Sequence, residues 1–269
     1  MSIFLEFYLI FIVISILIIA IGFLFNFFKN ENIASYLTSG AIIIPSVYAI
    51  YITNFKTIYI GLILFLFYRI TQVNRKYKIN WRNIFTYFVL SSSIFLLLTS
   101  VIFNFNSNYV ITGDYQYYAK LAAYINELGI ESEPIDYSNT SDQGNTPYHY
   151  TEIYFTAFVS KIFNIHTQYS YILVIFPILF STIILSLKQL LDSISVYKYN
   201  LILSILILFI SMFGLLFPTS LLPMDLWSSI SLLGMPKLSY VYLCAVWIIY
   251  FISKNDYQNL ILFSLILSF

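Results

Sequence analysis

The sequence predicts an all-α, polytopic transmembrane protein of about eight spans, with two amphipathic juxtamembrane helices in one large polar loop. Composition is the first observation: 60% of the 269 residues are hydrophobic and 9% are charged, whereas soluble domains contain about 25% charged residues. The mean hydropathy of +0.83 agrees with this. The third observation is that several apolar runs reach about 20 residues, the helical length that crosses a hydrocarbon core of about 30 Å.

The apolar runs divide the chain into candidate spans. They cover residues 3–28, 33–53, 57–73, 84–103, 168–191, 200–217, 238–253 and 257–269. The first lacks a basic start and a small-residue cleavage site, which predicts a retained span rather than a signal peptide. The second is interrupted by Gly40 and Pro45, and could pair with the third as a helical hairpin. The last reaches Phe269 without a polar flank, which predicts that further spans follow the sequence given.

Basic residues predict the orientation, because Lys and Arg near span ends favour the cytoplasmic side. The segment RITQVNRKYKINWRN, residues 69–83, follows the third span. Placing it inside puts nine of the thirteen basic residues inside, and makes the loop of residues 104–167 extracytoplasmic. We expect residues 1–83 to form an N-terminal unit of three spans and a basic cytoplasmic loop. Residues 84–269 would then form the core that carries the outer loop.

Within the outer loop, six of the chain's twelve acidic residues lie between Asp114 and Asp142. Its first part predicts an amphipathic helix over residues 115–128, because apolar side chains recur at i, i+3, i+4 and i+7. Asp114 suits the N-cap, and Gly129 suits the position after the C-terminus. The helix is too short to span, so we expect it to lie in the membrane plane with its tyrosines at headgroup level. Its apolar face comprises Tyr118, Leu121, Ala122, Ile125 and Leu128.

A second amphipathic helix is predicted to begin within NTPYHYTE, residues 145–152. Pro147 suits the first helical position. The preceding residues 130–146 are rich in Ser, Glu, Asp, Asn and Gly, which is typical of a solvated linker. We expect this helix, too, to lie on the membrane surface. Its polar side comprises His149, Glu152, Thr156 and Ser160.

Two segments resemble the membrane glycosyltransferases of the GT-C superfamily. They are GDYQYYAKLAAYINELG, residues 113–129, and TPYHYTEIYFTAFVSKIFNI, residues 146–165. Members of that superfamily carry a large first extracytoplasmic loop with two juxtamembrane helices and an acidic residue at its start. The resemblance covers about residues 114–191. Two features depart from it: Asp114 is followed by Tyr115 where many members have a second acidic residue, and four predicted spans precede the loop.

The resemblance implies transfer of a sugar from a polyprenyl-phosphate-linked donor to a glycan, lipid or protein acceptor at the outer face of a bacterial membrane. The acceptor hydroxyl must lose its proton, and a carboxylate within about 3 Å can act as general base. Asp114 would be that catalytic base, and Tyr117 and Tyr118 would stack on the sugar among the membrane lipids. The alternatives are a helix cap for Asp114 and an interfacial aromatic belt for the tyrosines.

Three further residues are candidate substrate ligands. His149 and Glu152 stand at i, i+3 and could bind the lipid phosphate or the acceptor. The same spacing could hold a divalent cation such as Mg²⁺ or Mn²⁺ as a cofactor, although two ligands make an incomplete set. The alternative is a solvated polar face, with Glu152 favourably placed near a helix N-terminus. Lys120 could meet a phosphate, or extend towards the lipid headgroups.

Other function classes are excluded or left open. The sequence has no P-loop, Gly-rich nucleotide motif or CxxC pair, its net charge of +1 gives no basis for nucleic-acid binding, and its single cysteine, Cys244, excludes an internal disulfide. An O-antigen-type polymerase stays open, although such enzymes tend to use paired outer arginines and the predicted outer loops contain none. A transporter or flippase, which usually places ionisable residues deep in its spans, and a structural membrane protein without catalysis also stay open.

Overall fold

The computed structural model describes residues 2–26, 28, 32–52, 80–104, 114–129, 151–194, 199–213 and 238–261. These residues form helices and their connecting turns, and no strand occurs among them. In chain order the helices are α1 Ser2–Leu24, α2 Ile33–Ile52, α3 Trp81–Asn104, α4 Asp114–Leu128, α5 Thr151–Phe163, α6 Thr167–Ile194, α7 Asn200–Phe213 and α8 Leu238–Ser253. The all-α class that the sequence predicts is therefore confirmed for the described ranges.

Four of these helices, α1, α2, α3 and α6, are long and apolar enough to cross a membrane. They correspond to the first, second, fourth and fifth predicted spans, and they support membrane localisation. Helices α7 and α8 are apolar but shorter, with 14 and 16 residues. The third predicted span and most of the eighth lie outside the described residues, so the total of about eight stays a prediction.

Helix α6 lies at the centre of the described bundle. Within its most apolar window 94% of the residues are buried, against 28% for α3 and 39% for α1. It packs against α2, α3, α7 and α8, and its first part also contacts α1. A helix enclosed by protein can carry polar side chains and irregular backbone that lipid would not tolerate. Helix α6 carries both, because Ser170, Ser181 and Thr182 are buried and its segment Ser170–Ile175 is π-helical.

Helices α1 and α2 form an antiparallel hairpin whose backbones meet at two glycines. A Cβ atom on Gly22 would overlap the carbonyl group of Tyr36, and one on Gly40 would overlap the carbonyl group of Ile18. Small residues permit this close approach between membrane helices. The interruption expected at Gly40 and Pro45 does not occur, because α2 is continuous through both residues. Gly40 is instead the residue that lets the hairpin close.

Hydrogen bonds at the two ends of the bundle fix the relative directions of α2, α6 and α8. At one end, named here the Asn32 end, Asn32, the residue before α2, donates to Gln189 of α6, and Gln189 donates to the hydroxyl of Tyr250 in α8. At the opposite end, named here the loop end, Tyr48 of α2 donates to Asn126 of α4. The start of α2 therefore lies beside the ends of α6 and α8, so α2 runs antiparallel to both, and α6 and α8 run parallel to each other.

Helix α4 ends at the predicted Leu128 but begins at Asp114, which is its first residue rather than the predicted N-cap, and its two faces are those predicted. Gly129 follows it with a φ of 68°, and the N–H of Gly129 donates to the carbonyl of Ile125 at 3.1 Å. The predicted apolar face is buried, apart from Leu128, while Gln116, Lys120 and Glu127 are exposed on the other side. The face packs on α5 and on the first turn of α6. Whether α4 lies in the membrane plane stays a prediction.

Helix α5 corrects the expectation of an outward-facing polar side. Glu152, Thr156 and Ser160 are all buried, as are the apolar residues between them except the half-buried Phe158. The reason is that α5 packs between α2, α4 and α6, where nearby carbonyl groups accept hydrogen bonds from its hydroxyl groups. The Thr156 hydroxyl donates to the Glu152 carbonyl at 2.7 Å, and the Ser160 hydroxyl donates to the Ile165 carbonyl at 2.6 Å. Its polar side chains therefore serve the protein interior.

We predict that Gly40→Leu lowers the thermal unfolding midpoint of the purified protein in detergent. Overpacking costs about 1–3 kcal/mol where side chains can adjust, and here the obstacle is the Ile18 backbone. Val13→Leu is the matched control, because Val13 is exposed on the surface of α1, and it should leave the midpoint unchanged. Equal midpoints for the two variants would contradict the close approach of α1 and α2.

Candidate functional site

The carboxyl group of Glu152 is the most deeply placed acidic group among the described residues. Glu152 stands in the first turn of α5, where the helix dipole favours a negative charge. It is 1% exposed, although acidic residues are almost never fully buried without compensation. Such burial separates Glu152 from the other described acidic residues of the loop, since Glu127 on α4 is exposed.

Two residues of α8 lie close to Glu152. The carboxyl group of Glu152 interacts electrostatically with the hydroxyl of Tyr240 and with the thiol of Cys244. The Tyr240 hydroxyl donates to the carbonyl of Ala41 at 2.6 Å, which places it beside the middle of α2. Glu152 therefore lies inside the bundle, on a helix that packs against α2 and within electrostatic reach of α8.

Helices α5 and α6 form an antiparallel hairpin that sets the level of Glu152. The Ser170 hydroxyl of α6 donates to the Thr156 carbonyl of α5 at 3.3 Å, while the ends of the hairpin meet where Ser160 bonds to Ile165. Glu152 precedes Thr156 by one helical turn, so it lies beside the α6 residues that follow Ser170. Those residues form the π-helical segment Ser170–Ile175, which contacts α5.

The π-helical segment has a local cause in the sequence. Pro177 follows it, and a proline ring clashes with the carbonyl of the residue four positions earlier, here Leu173. The wider π turn relieves this clash, and the N–H of Phe176 instead donates to the carbonyl of Tyr171, five residues back. Single π turns within α-helices occur frequently at functional sites. This one turns the buried ring of Tyr171 towards α4.

The first turn of α4 also lies beside the π-helical segment. The ring of Tyr115 is 5.6 Å from that of Phe176 and 6.3 Å from that of Tyr171. Tyr118, one turn later, also has its ring 6.3 Å from Tyr171. Asp114 is the first residue of α4, and its side chain lies outside what the structure describes. The N-terminal turns of α4 and α5 therefore meet the same segment of α6.

The remaining predicted site residues have different surroundings. Tyr118 is buried, in contact with the rings of Tyr171 and Tyr117, so it forms part of the wall between α4 and α6. Tyr117 is half-buried, and Lys120 is exposed on the outer side of α4. His149 lies outside the described residues, and its proposed pairing with Glu152 stays a prediction.

One described residue, Glu152, bears on the metal prediction. Within the described ranges, no group of three or more His, Cys, Asp or Glu side chains could hold a metal ion. Because His149 and the side chain of Asp114 are outside those ranges, a site formed by them with Glu152 is untested. The divalent cation therefore has one described candidate ligand, Glu152.

Tyr240 and Cys244 are the neighbours of Glu152 that sequence reasoning missed. Both lie in the seventh predicted span, for which the sequence predicts no site residue. No periodicity in that span distinguishes them, and only the three-dimensional packing of α8 against α6 brings them near α5. Pro177 is the one signal that could have indicated an irregular turn at this level of α6.

No protein-family model, no curated protein and no solved structure matches this chain. The likeness to the GT-C superfamily consequently rests on the two loop segments and on their arrangement, and it enters the proposal below as a hypothesis.

We predict that a thiol at position 152 reacts slowly with a polar maleimide. In a Cys244→Ser background, reconstituted in lipid nanodiscs, Glu152→Cys should be labelled at least about tenfold more slowly than Glu127→Cys, because the reagent must wait for local opening of the bundle. Equal labelling rates would show that α5 exposes this side to water, contrary to the burial of Glu152.

Proposed function

We propose that the chain belongs to a multi-pass glycosyltransferase of the bacterial inner membrane. It would transfer a sugar from a polyprenyl-phosphate-linked donor to a cell-envelope acceptor at the outer face, with residues 104–167 extracytoplasmic. One observation carries the proposal: the first turns of α4 and α5, which bear Asp114 and Glu152, both lie beside the π-helical segment of α6.

The proposed roles follow from exposure. Asp114, at the start of α4, would accept the proton of the acceptor hydroxyl. Glu152 would bind hydroxyl groups of the sugar or the acceptor, since a carboxylate inside a membrane protein marks a functional site by default. Half-buried Tyr117 is the better candidate for stacking on the sugar, and Tyr118 would build the wall behind it. Exposed Lys120 would attract the phosphate of the donor.

A transporter is the second candidate, and the burial of Glu152 inside the bundle favours it. Other polar residues of α2 argue against a polar transport path through the bundle, because their side chains form hydrogen bonds with neighbouring parts of the protein. Thr38 accepts a hydrogen bond from the indole N–H of Trp247 at 2.8 Å, and the Ser39 hydroxyl donates to Asn26 at 3.2 Å. Polar contacts of this kind hold membrane helices together, and we therefore favour the transferase.

The decisive experiment is the glycan profile of the native host after Asp114→Asn and Glu152→Gln. Removing a general base costs about 10²–10⁴-fold in rate, so Asp114→Asn should remove the product glycan from the mass spectrum, and Glu152→Gln should reduce it. Glu127→Gln is the matched control, since Glu127 is an exposed acid on α4.

Normal glycans with Asp114→Asn at normal protein level would contradict the transferase. If that outcome were accompanied by lost movement of a lipid-linked glycan across vesicle membranes in Glu152→Gln, the transporter would replace it.

The orientation makes a separate prediction. An epitope tag inserted at Asn139 should be reached by antibody in spheroplasts without permeabilisation, because the basic segment of residues 69–83 holds the alternate loops inside. A tag reached only after permeabilisation would reverse the topology and remove the outer-face chemistry with it.

A further inference from the structure

We propose that Asn126 is a positioning residue, which fixes the register of α4 against α5 and α2 and thereby sets where Asp114 stands relative to Glu152. The geometry of this inference is independent of the reaction, whereas its catalytic consequence rests on the proposed function. Nothing in the loop sequence singles out Asn126, which lies on α4 next to the exposed Glu127.

Asn126 uses both ends of its amide to join three helices. Its Oδ1 accepts a hydrogen bond from the Tyr48 hydroxyl of α2 at 2.5 Å. Its Nδ2 donates to the Ala157 carbonyl of α5 at 3.0 Å. Beside these bonds, the Tyr48 ring meets Phe158 of α5 edge to face, with centroids 5.7 Å apart. One side chain of the polar loop is thus bonded to a membrane-length helix and to the other loop helix.

Directional bonds are needed here because the buried face of α4 next to Asn126 is apolar. Leu121, Ala122 and Ile125 are buried among aliphatic and aromatic side chains, and such packing has little directional preference. A hydrogen bond weakens steeply when its angle falls. A slide of α4 along α5 would also break the bonds of the Tyr48 hydroxyl and of the half-buried Asn126 amide, which is costly where water cannot replace them. The Asn126 contacts therefore select one register among several that apolar packing would accept.

The helix transmits this register to the proposed catalytic residue. Asp114 and Asn126 are in the same continuous helix, about 18 Å apart at 1.5 Å per residue. A rigid helix that slides at Asn126 slides equally at Asp114. On the α5 side, Ala157 stands little more than one turn after Glu152. The Asn126 contact lies far from the first turns of α4 and α5, and it therefore fixes the distance between those two turns, which bear Asp114 and Glu152.

Three substitutions separate the contributions of the two hydrogen bonds that Asn126 forms. Asn126→Ala removes both bonds, Asn126→Asp keeps the acceptor for Tyr48 and loses the donor to Ala157, and Tyr48→Phe loses only the bond to α2. Glu127→Ala is the control, because it changes the neighbouring exposed residue of the same helix.

Hydrogen exchange of the purified protein in lipid nanodiscs tests the positioning directly. In Asn126→Ala, the amides of residues 118–121 should exchange roughly five- to tenfold faster, as expected for the loss of one or two hydrogen bonds. Asn126→Asp and Tyr48→Phe should show part of this increase, and Glu127→Ala none. An increase confined to residues near 126 would show a merely local contact and would overturn the proposal.

The glycan assay supplies the second readout. Because misplacement of a reacting group by about 1 Å can lower a rate about 10²-fold, Asn126→Ala should lose product at unchanged protein level, and Asn126→Asp should retain part of it. Should Asn126→Ala fail to fold, Tyr48→Phe removes a single hydroxyl and decides the matter by the same two readouts. Normal glycans in Tyr48→Phe and Asn126→Asp, alongside loss in Asp114→Asn, would overturn the positioning role alone. Normal glycans in Asp114→Asn would instead remove the proposed function, and the exchange data would still decide the register.

Discussion

Hydrogen bonds between buried polar side chains are the interactions on which this helical bundle depends. Between membrane helices the apolar side chains gain little by leaving lipid for protein, so packing and polar contacts must fix which faces meet. In this chain the Tyr87 hydroxyl donates to Ser15, and the indole of Trp247 donates to Thr38. Each bond joins two helices that are distant in sequence. Together with the close approach at Gly22 and Gly40, they select one arrangement of helices whose surfaces are otherwise uniformly apolar.

The same constraint explains why the loop helices contribute to the interior. Helix α5 brings three hydroxyl or carboxyl side chains into a region where water is scarce. Asn126 of α4 and Ser170 of α6 donate to its backbone carbonyls, and the carbonyls of Glu152 and Ile165 accept from its hydroxyl groups. Helix α6, enclosed on all sides, can carry a π-helical turn because its carbonyl groups face protein rather than lipid. The acidic first turns of α4 and α5 then lie beside a segment that is both irregular and buried. Their closeness follows from packing between the loop and the bundle, and connects the fold to the proposed transfer reaction.

Much of this fold could be predicted from the sequence, because its strongest signals are local. A run of about 20 apolar residues is the signature of a span, and it located α1, α2, α3 and α6. The period of 3.6 residues and the turn residue Gly129 located α4 and its buried face. The surroundings of α5 could not be predicted, since the same polar residues suit water, a headgroup layer or a bonded protein interior. The proximity of Tyr240 to Glu152 depends on long-range packing, which leaves no trace in the composition of either helix.

The account stands on one spatial claim, that the first turns of α4 and α5 share the same neighbour in α6. Site-specific photo-crosslinking in native membranes tests it, with benzoylphenylalanine placed at Tyr115 in one variant and at Glu152 in another. Peptide mapping should recover residues 170–176 as a partner from both positions, because Tyr115 contacts Tyr171 and Phe176 and Glu152 lies one turn from the Thr156 contact with Ser170. Recovery of lipid alone, or of two separate segments with no partner in common, would contradict the shared site.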